Sequence, residues 1–225
     1  MRKIYGAWLA CMLLSVFAFA QNSVPTNQES NKEYKRDAAI GVYFFLNDFK
    51  TASAIRNGSL NSVFLDKKFG KVKEMAPGLA LVYMKGISNH VDYAITAAGS
   101  FVDYQLQNRP GTTSGSEKFL LEVDASVIGK MVTDKYWLIP TLSLGAGFSK
   151  YGSYFGAYIP AGVGLQLNFF DEAFLLINSQ YRIPITETAN YHFFHSIGIA
   201  GSMFKKNGDA TSKKKALPGL PVAAN

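Results

Sequence analysis

Between Tyr136 and Phe169 the chain carries a single charged residue, Lys150, yet nothing in it reaches the roughly eighteen consecutive apolar residues of a membrane-crossing helix. Within this stretch Phe155, Ala157, Ile159, Ala161, Val163, Leu165, Leu167 and Phe169 alternate with a set that includes Gly156, Tyr158, Gly162, Gly164, Gln166 and Asn168. A period of two sends the two sets to opposite faces of a β-strand. One face is continuously apolar, and the other is small or neutral-polar. A strand facing water on one side would carry Lys and Glu there. The pattern suits a strand whose apolar face meets lipid and whose other face lines a crowded interior.

The same texture recurs along the chain. Eight segments rich in Gly, aromatic and β-branched residues are expected as strands: Ala38 to Asp48, Met75 to Ile87, His90 to Leu106, Glu117 to Met131, Lys135 to Lys150, Ser153 to Phe169, Ala173 to Ile185, and Tyr191 to Phe204. Leu142, Leu144 and Phe148 oppose Thr141, Ser143 and Ser149, and Ile177, Tyr181 and Ile183 oppose Asn178, Gln180 and Arg182. The first and third connections are long and the second, fourth and sixth short, with the fifth and seventh of intermediate size. Odd and even connections then lie on opposite rims, the asymmetry of an up-and-down antiparallel transmembrane β-barrel, here all-β with about eight strands. Tyr83, Tyr104, Tyr136, Trp137, Tyr151, Tyr154, Phe169, Tyr191 and Phe194 fall near segment ends, as interfacial girdles require. Pro140, Pro160 and Pro184 lie inside segments and remove ladder donors, so bulges are expected there.

The N-terminus reads as an export signal over residues 1–20: Arg2 and Lys3, an apolar run from Trp8 to Phe19, then Ala18-Phe19-Ala20 before Gln21. Cys11, the one cysteine, raises the lipoprotein alternative, but the apolar core continues past it. Removing the signal lowers the formal charge from +7 to +5 and leaves no thiol for a disulfide, a metal or catalysis. Residues 21–37 are polar and read as a flexible leader, 38–204 as the barrel, and 205–225 as a basic, Pro-containing tail or linker. Basic charge gathered in that tail, with export, argues against nucleic acid as a partner.

No catalytic, cofactor or metal constellation stands out. His192 and His195, three apart, point to opposite faces of a strand, and His90 lies at a tight turn. Adjacent His195 and Ser196 also diverge, and the glycines follow strand alternation with no phosphate loop or nucleophile elbow. Glu122, Asp124 and Ser126 share a face opposite Leu121, Val123, Ala125 and Val127, so two carboxylates point into the lumen. Buried carboxylates need cations. Arg182 is the best placed, with Lys85 and Lys130 nearer the rims, and an ion-pair network plugging the lumen is expected. Acid-base work by the carboxylate pair would need substrate in a lumen that eight strands fill with side chains.

The signal, the eight segments, the loop asymmetry and the closing Ile197-Gly-Ile-Ala-Gly-Ser-Met-Phe204 resemble the membrane domain of OmpA-like outer-membrane proteins. The resemblance implies a non-enzymatic structural, envelope-integrity or surface-interaction role. It also implies contact with outer-membrane lipid and lipopolysaccharide, and recognition of the Phe204 end by the barrel-assembly machinery. Ala216-Leu-Pro-Gly-Leu-Pro-Val222 is similar to the linker that precedes a peptidoglycan-binding domain in that group, and the tail is thereby a candidate contact for peptidoglycan or periplasmic proteins. The long first loop, with Arg56, Lys67, Lys68, Lys71 and Lys73, is the expected partner surface. Three other readings have distinct requirements. A lipid- or lipopolysaccharide-modifying barrel enzyme needs His, Ser and an acid converging on one rim. A narrow gated channel needs a lumen that opens, and a soluble lipid-binding barrel needs its apolar face inward.

Overall fold

In the computed structural model the described residues are 35–58, 65, 70–102, 118–168 and 173–203. The signal segment and the tail lie outside them. Eight strands run β1 (Ala39–Asp48), β2 (Ala76–Gly86), β3 (Val91–Val102), β4 (Lys118–Lys130), β5 (Leu138–Tyr151), β6 (Tyr154–Asn168), β7 (Ala173–Pro184) and β8 (His192–Ser202). Each pairs antiparallel with its sequence neighbours, and β8 returns to β1, closing the barrel. Closure removes both sheet edges, so every strand has a ladder on each side.

Residue parity decides what each face meets. On β4, Glu122, Asp124 and Ser126 are buried, while Leu121 and Val127 are exposed. On β6, Tyr158, Gln166 and Asn168 point inward and Phe155, Val163 and Leu165 outward. Leu79, Leu144, Phe155 and Ile199 are 61–65 % exposed. Together with Val42, Leu81, Leu142 and Val163 they make an apolar exterior far larger than a water-soluble monomer tolerates.

The chain enters at Ala39 and leaves at Ser202 on one rim, called here the terminal rim; the odd connections form the opposite, loop rim. The first connection begins with a helix that the sequence read as loop, α1 (Phe49–Asn57), capped by Asp48, whose carboxylate accepts from the Thr51 N–H at 2.8 Å. The fifth connection is tighter than its expected intermediate size: Tyr151 pairs with Tyr154, leaving Gly152 and Ser153 as the turn. Gly152 has φ +60°, a conformation a tight hairpin requires and glycine adopts freely.

The expected bulges are absent, since all eight ladders keep a constant register across the prolines. Pro140 lies one step beyond the last β4–β5 pair, Lys130–Thr141, and its carbonyl accepts from the Met131 N–H. Pro184 ends β7. At Pro160 the β5–β6 pairing lapses between Leu144–Ala161 and Gly147–Tyr158 and resumes unshifted, so the ladder loses contacts rather than gaining a residue. Two of the expected girdle aromatics are corrected as well. Tyr151 is buried with its hydroxyl donating to the Val102 carbonyl, and Phe194 is a lumen residue stacked on Phe45 at 4.5 Å. Tyr104 and Phe169 lie outside the described residues.

Candidate functional site in the barrel lumen

The lumen holds two charged clusters separated by a neutral middle. Toward the loop rim, β7 delivers Arg182, which is fully buried. Its Nη1 lies 2.6 Å from Glu122 Oε2 and its Nη2 3.1 Å from Asp124 Oδ2, both on β4. The guanidinium is sandwiched by rings, 3.9 Å from the Phe194 centroid and 5.0 Å from that of Tyr158. Ser126 and Tyr158 hydroxyls donate to Asp124, and the Asn47 amide donates to Glu122.

His192 completes this cluster. Its Nε2 lies 3.1 Å from Glu122 Oε1 and its Nδ1 3.0 Å from the Asn190 carbonyl, with the Phe49 ring of α1 packed on it at 4.5 Å. As a candidate base or metal ligand His192 has no local signal for this role, because nothing in the neighbouring sequence says which strand faces it across the lumen. Among the described residues no group of His, Cys, Asp and Glu is arranged to hold a metal ion.

The second cluster closes the terminal rim. Lys130 Nζ lies 2.9 Å from Asp92 Oδ1 and 2.5 Å from Asp134 Oδ2. Arg36 reaches the same two carboxylates, with Nη1 3.3 Å from Asp92 Oδ2 and Nη2 3.1 Å from Asp134 Oδ1. Two cations and two carboxylates therefore alternate and cancel. Gln166 bridges Arg36, Asp134 and Asn168, and the Phe174 ring lies 4.3 Å below the guanidinium. Arg36 belongs to the expected leader, whose last residues instead form part of the barrel mouth: Arg36 is buried and its carbonyl accepts from the Gly86 N–H.

The expected network thus divides. Arg182, Glu122 and Asp124 meet; Lys130 is in the lumen but joins the other cluster. Lys85 is corrected outright, because it is exposed on the outer face of β2, opposite Tyr93. Its parity is that of Leu79 and Leu81, so the alternation itself places it outside.

Between the clusters lies a cavity of about 20 Å³, room for one water, lined by Tyr43, Thr96, Ser126, Gln180 and Ser196 among others. Ser196 Oγ and Gln180 Oε1 have no protein partner. Small residues set the width here: a Cβ on Gly198 would fall 2.1 Å from the Tyr43 ring.

On the outer face, Ser179 and His195 are cross-strand neighbours with Oγ and Nδ1 2.9 Å apart. Among the described residues no carboxylate is hydrogen-bonded to this ring, so the pair lacks the acid that a nucleophilic triad uses to orient its base. His195 and Ser196 point to opposite faces, and His90 Nδ1 lies 3.2 Å from the Lys130 carbonyl at its turn.

A closed eight-stranded up-and-down barrel, apolar outside and filled with polar and charged side chains inside, has the architecture of small membrane-spanning β-barrels. The chain is similar in fold to the N-terminal β-barrel domain of Pseudomonas aeruginosa OprF, at 12 % identity and TM-score 0.45, covering 74 % of this chain and 98 % of that one. It is also similar to P. aeruginosa OprG, at 10 % identity and TM-score 0.48 over 74 % and 96 %. A third likeness is to Ail of Yersinia pestis, at 14 % identity and TM-score 0.43 over 76 % and 98 %. No protein-family model and no curated protein sequence matches the chain.

Proposed function

We propose that this chain is a non-enzymatic integral outer-membrane β-barrel that contributes to envelope integrity or surface contacts through its loop rim, with its lumen plugged by ion pairs. The observation that carries the reading is the inversion of ordinary burial. Arg182, Glu122, Asp124, Asp92 and Lys130 are inside, while Leu79, Leu144, Phe155 and Ile199 are outside. Only a lipid solvent makes that arrangement stable. Two opposed charged clusters and a water-sized central cavity argue against a diffusion pore, and the absence of an acid on the Ser179–His195 pair argues against nucleophilic catalysis. Outer-membrane lipid and lipopolysaccharide are the immediate partners of the exterior. Contacts of the tail with peptidoglycan or periplasmic proteins, and recognition of Phe204 by the assembly machinery, rest on the resemblance alone.

Cell fractionation tests the reading. Recovery only with detergent, with faster gel migration before boiling than after, is the expected result. Release by osmotic shock would overturn it and favour a soluble periplasmic barrel.

A further inference from the structure

The exterior is not uniformly apolar. Where the outward faces of β7 and β8 meet, their chemistry changes in order with depth. At the top, the Arg56 guanidinium of α1 lies 3.9 Å from the centroid of the Tyr191 ring. Tyr191 meets Tyr181 at 5.9 Å, and Tyr181 meets Phe193 at 4.8 Å. One step down is the Ser179–His195 pair, with the Phe193 ring stacked on the imidazole at 5.6 Å and 7° between planes. Below it the outward residues are Ile177 and Ile197, then Leu175 and Ile199. Each step along a strand face descends about 7 Å.

A hydroxyl–imidazole pair inside a lipid-facing band is costly unless its polar atoms are used. Ser179 and His195 satisfy one bond between them. No other hydrogen bond engages the imidazole among the described residues, and both residues are half-buried on the outer face. An acylated, phosphorylated lipid presents the matching sequence of groups from the interface inward: phosphate, then ester and hydroxyl groups, then hydrocarbon. The charge matches as well. The described loop rim and strand ends there expose Lys50, Arg56, Lys71, Lys73 and Lys118 against Glu74 and Glu187.

Resting on the membrane reading, we propose that this β7–β8 column is a binding site for one phosphorylated glycolipid of the outer leaflet, lipid A. Arg56 holds a phosphate with Tyr191 beneath it. Ser179 and His195 receive the acyl-linkage oxygens, and Ile177, Ile197 and Ile199 pack the chains. The outer leaflet is the source because the long connections lie on this rim.

The full chain, refolded in zwitterionic detergent micelles, is titrated with purified lipid A and the complexes are counted by native mass spectrometry. One saturable lipid A per barrel is expected. Arg56→Ala and the double variant Ser179→Ala/His195→Ala should each weaken it about tenfold, a loss typical of one charge-assisted contact or two hydrogen bonds. Lys150→Ala, on the β5 exterior, should leave it unchanged. Equal binding by all variants, or an equal loss with Lys150→Ala, overturns the site in favour of unspecific charge attraction. Equal binding of dephosphorylated lipid A overturns the phosphate assignment, and equal competition by phosphatidylglycerol overturns the glycolipid. Heat-modifiable migration of each variant reports folding separately. Loss of that property in the unaltered chain would fail the membrane reading, whereas its retention without lipid binding would fail this proposal alone.

Discussion

Arg182 shows how much one side chain can hold in a lumen without bulk water. Its guanidinium has two carboxylate partners and two ring faces, and removing it leaves Glu122 and Asp124 buried without their cation. Arg182→Ala should cost about 3–5 kcal/mol, read as a lower urea midpoint for unfolding from lipid vesicles. The triple variant Arg182→Met, Glu122→Gln, Asp124→Asn should recover most of that loss, because no uncompensated charge remains. An Arg182→Ala barrel as stable as the parent would show that the network is incidental. Lys85→Ala is the matching control and should change stability by less than about 0.5 kcal/mol, since the side chain is exposed.

At the scale of the strand, the decisive property is which solvent the outer face meets. Leu144 sits mid-strand on β5, 61 % exposed. Leu144→Arg should destabilise the vesicle-embedded barrel by about 2–4 kcal/mol, whereas in a water-soluble barrel the same change would be nearly neutral. Width across the lumen is set as strictly. Gly198→Val would drive a side chain into the Tyr43 ring, and no compact, heat-modifiable band should form on a gel. Most of this level was legible in the sequence, because alternation is a property of neighbouring residues. The misplacement of Lys85 came from ranking charges by partner rather than by parity. The prolines misled for a different reason: a missing donor can be absorbed by a strand end, as at Pro140 and Pro184, or by a lapse in one ladder, as at Pro160, without an inserted residue.

For the whole molecule, closure converts eight local patterns into one lumen with two ends. The terminal-rim cluster draws Arg36 from before β1, Asp92 from β3, Lys130 from β4 and Asp134 from the turn after it. Arg36→Ala should therefore leave two carboxylates facing one lysine at that mouth. Lower thermal stability in detergent is expected, with the loss reduced by adding Asp134→Asn; unchanged melting of the single variant would show that Arg36 is not part of the plug. The sequence by itself determined the strands, the lipid-facing set and the inward direction of Glu122, Asp124 and Arg182, because a period of two needs no information from elsewhere in the chain. Only the tertiary structure decided that Arg182 meets Glu122, that His192 joins them, and that Lys130 belongs with Arg36, Asp92 and Asp134. The physical reason is that strand tilt and stagger in a closed barrel set the height of each residue relative to strands across the lumen, and no local pattern encodes that height.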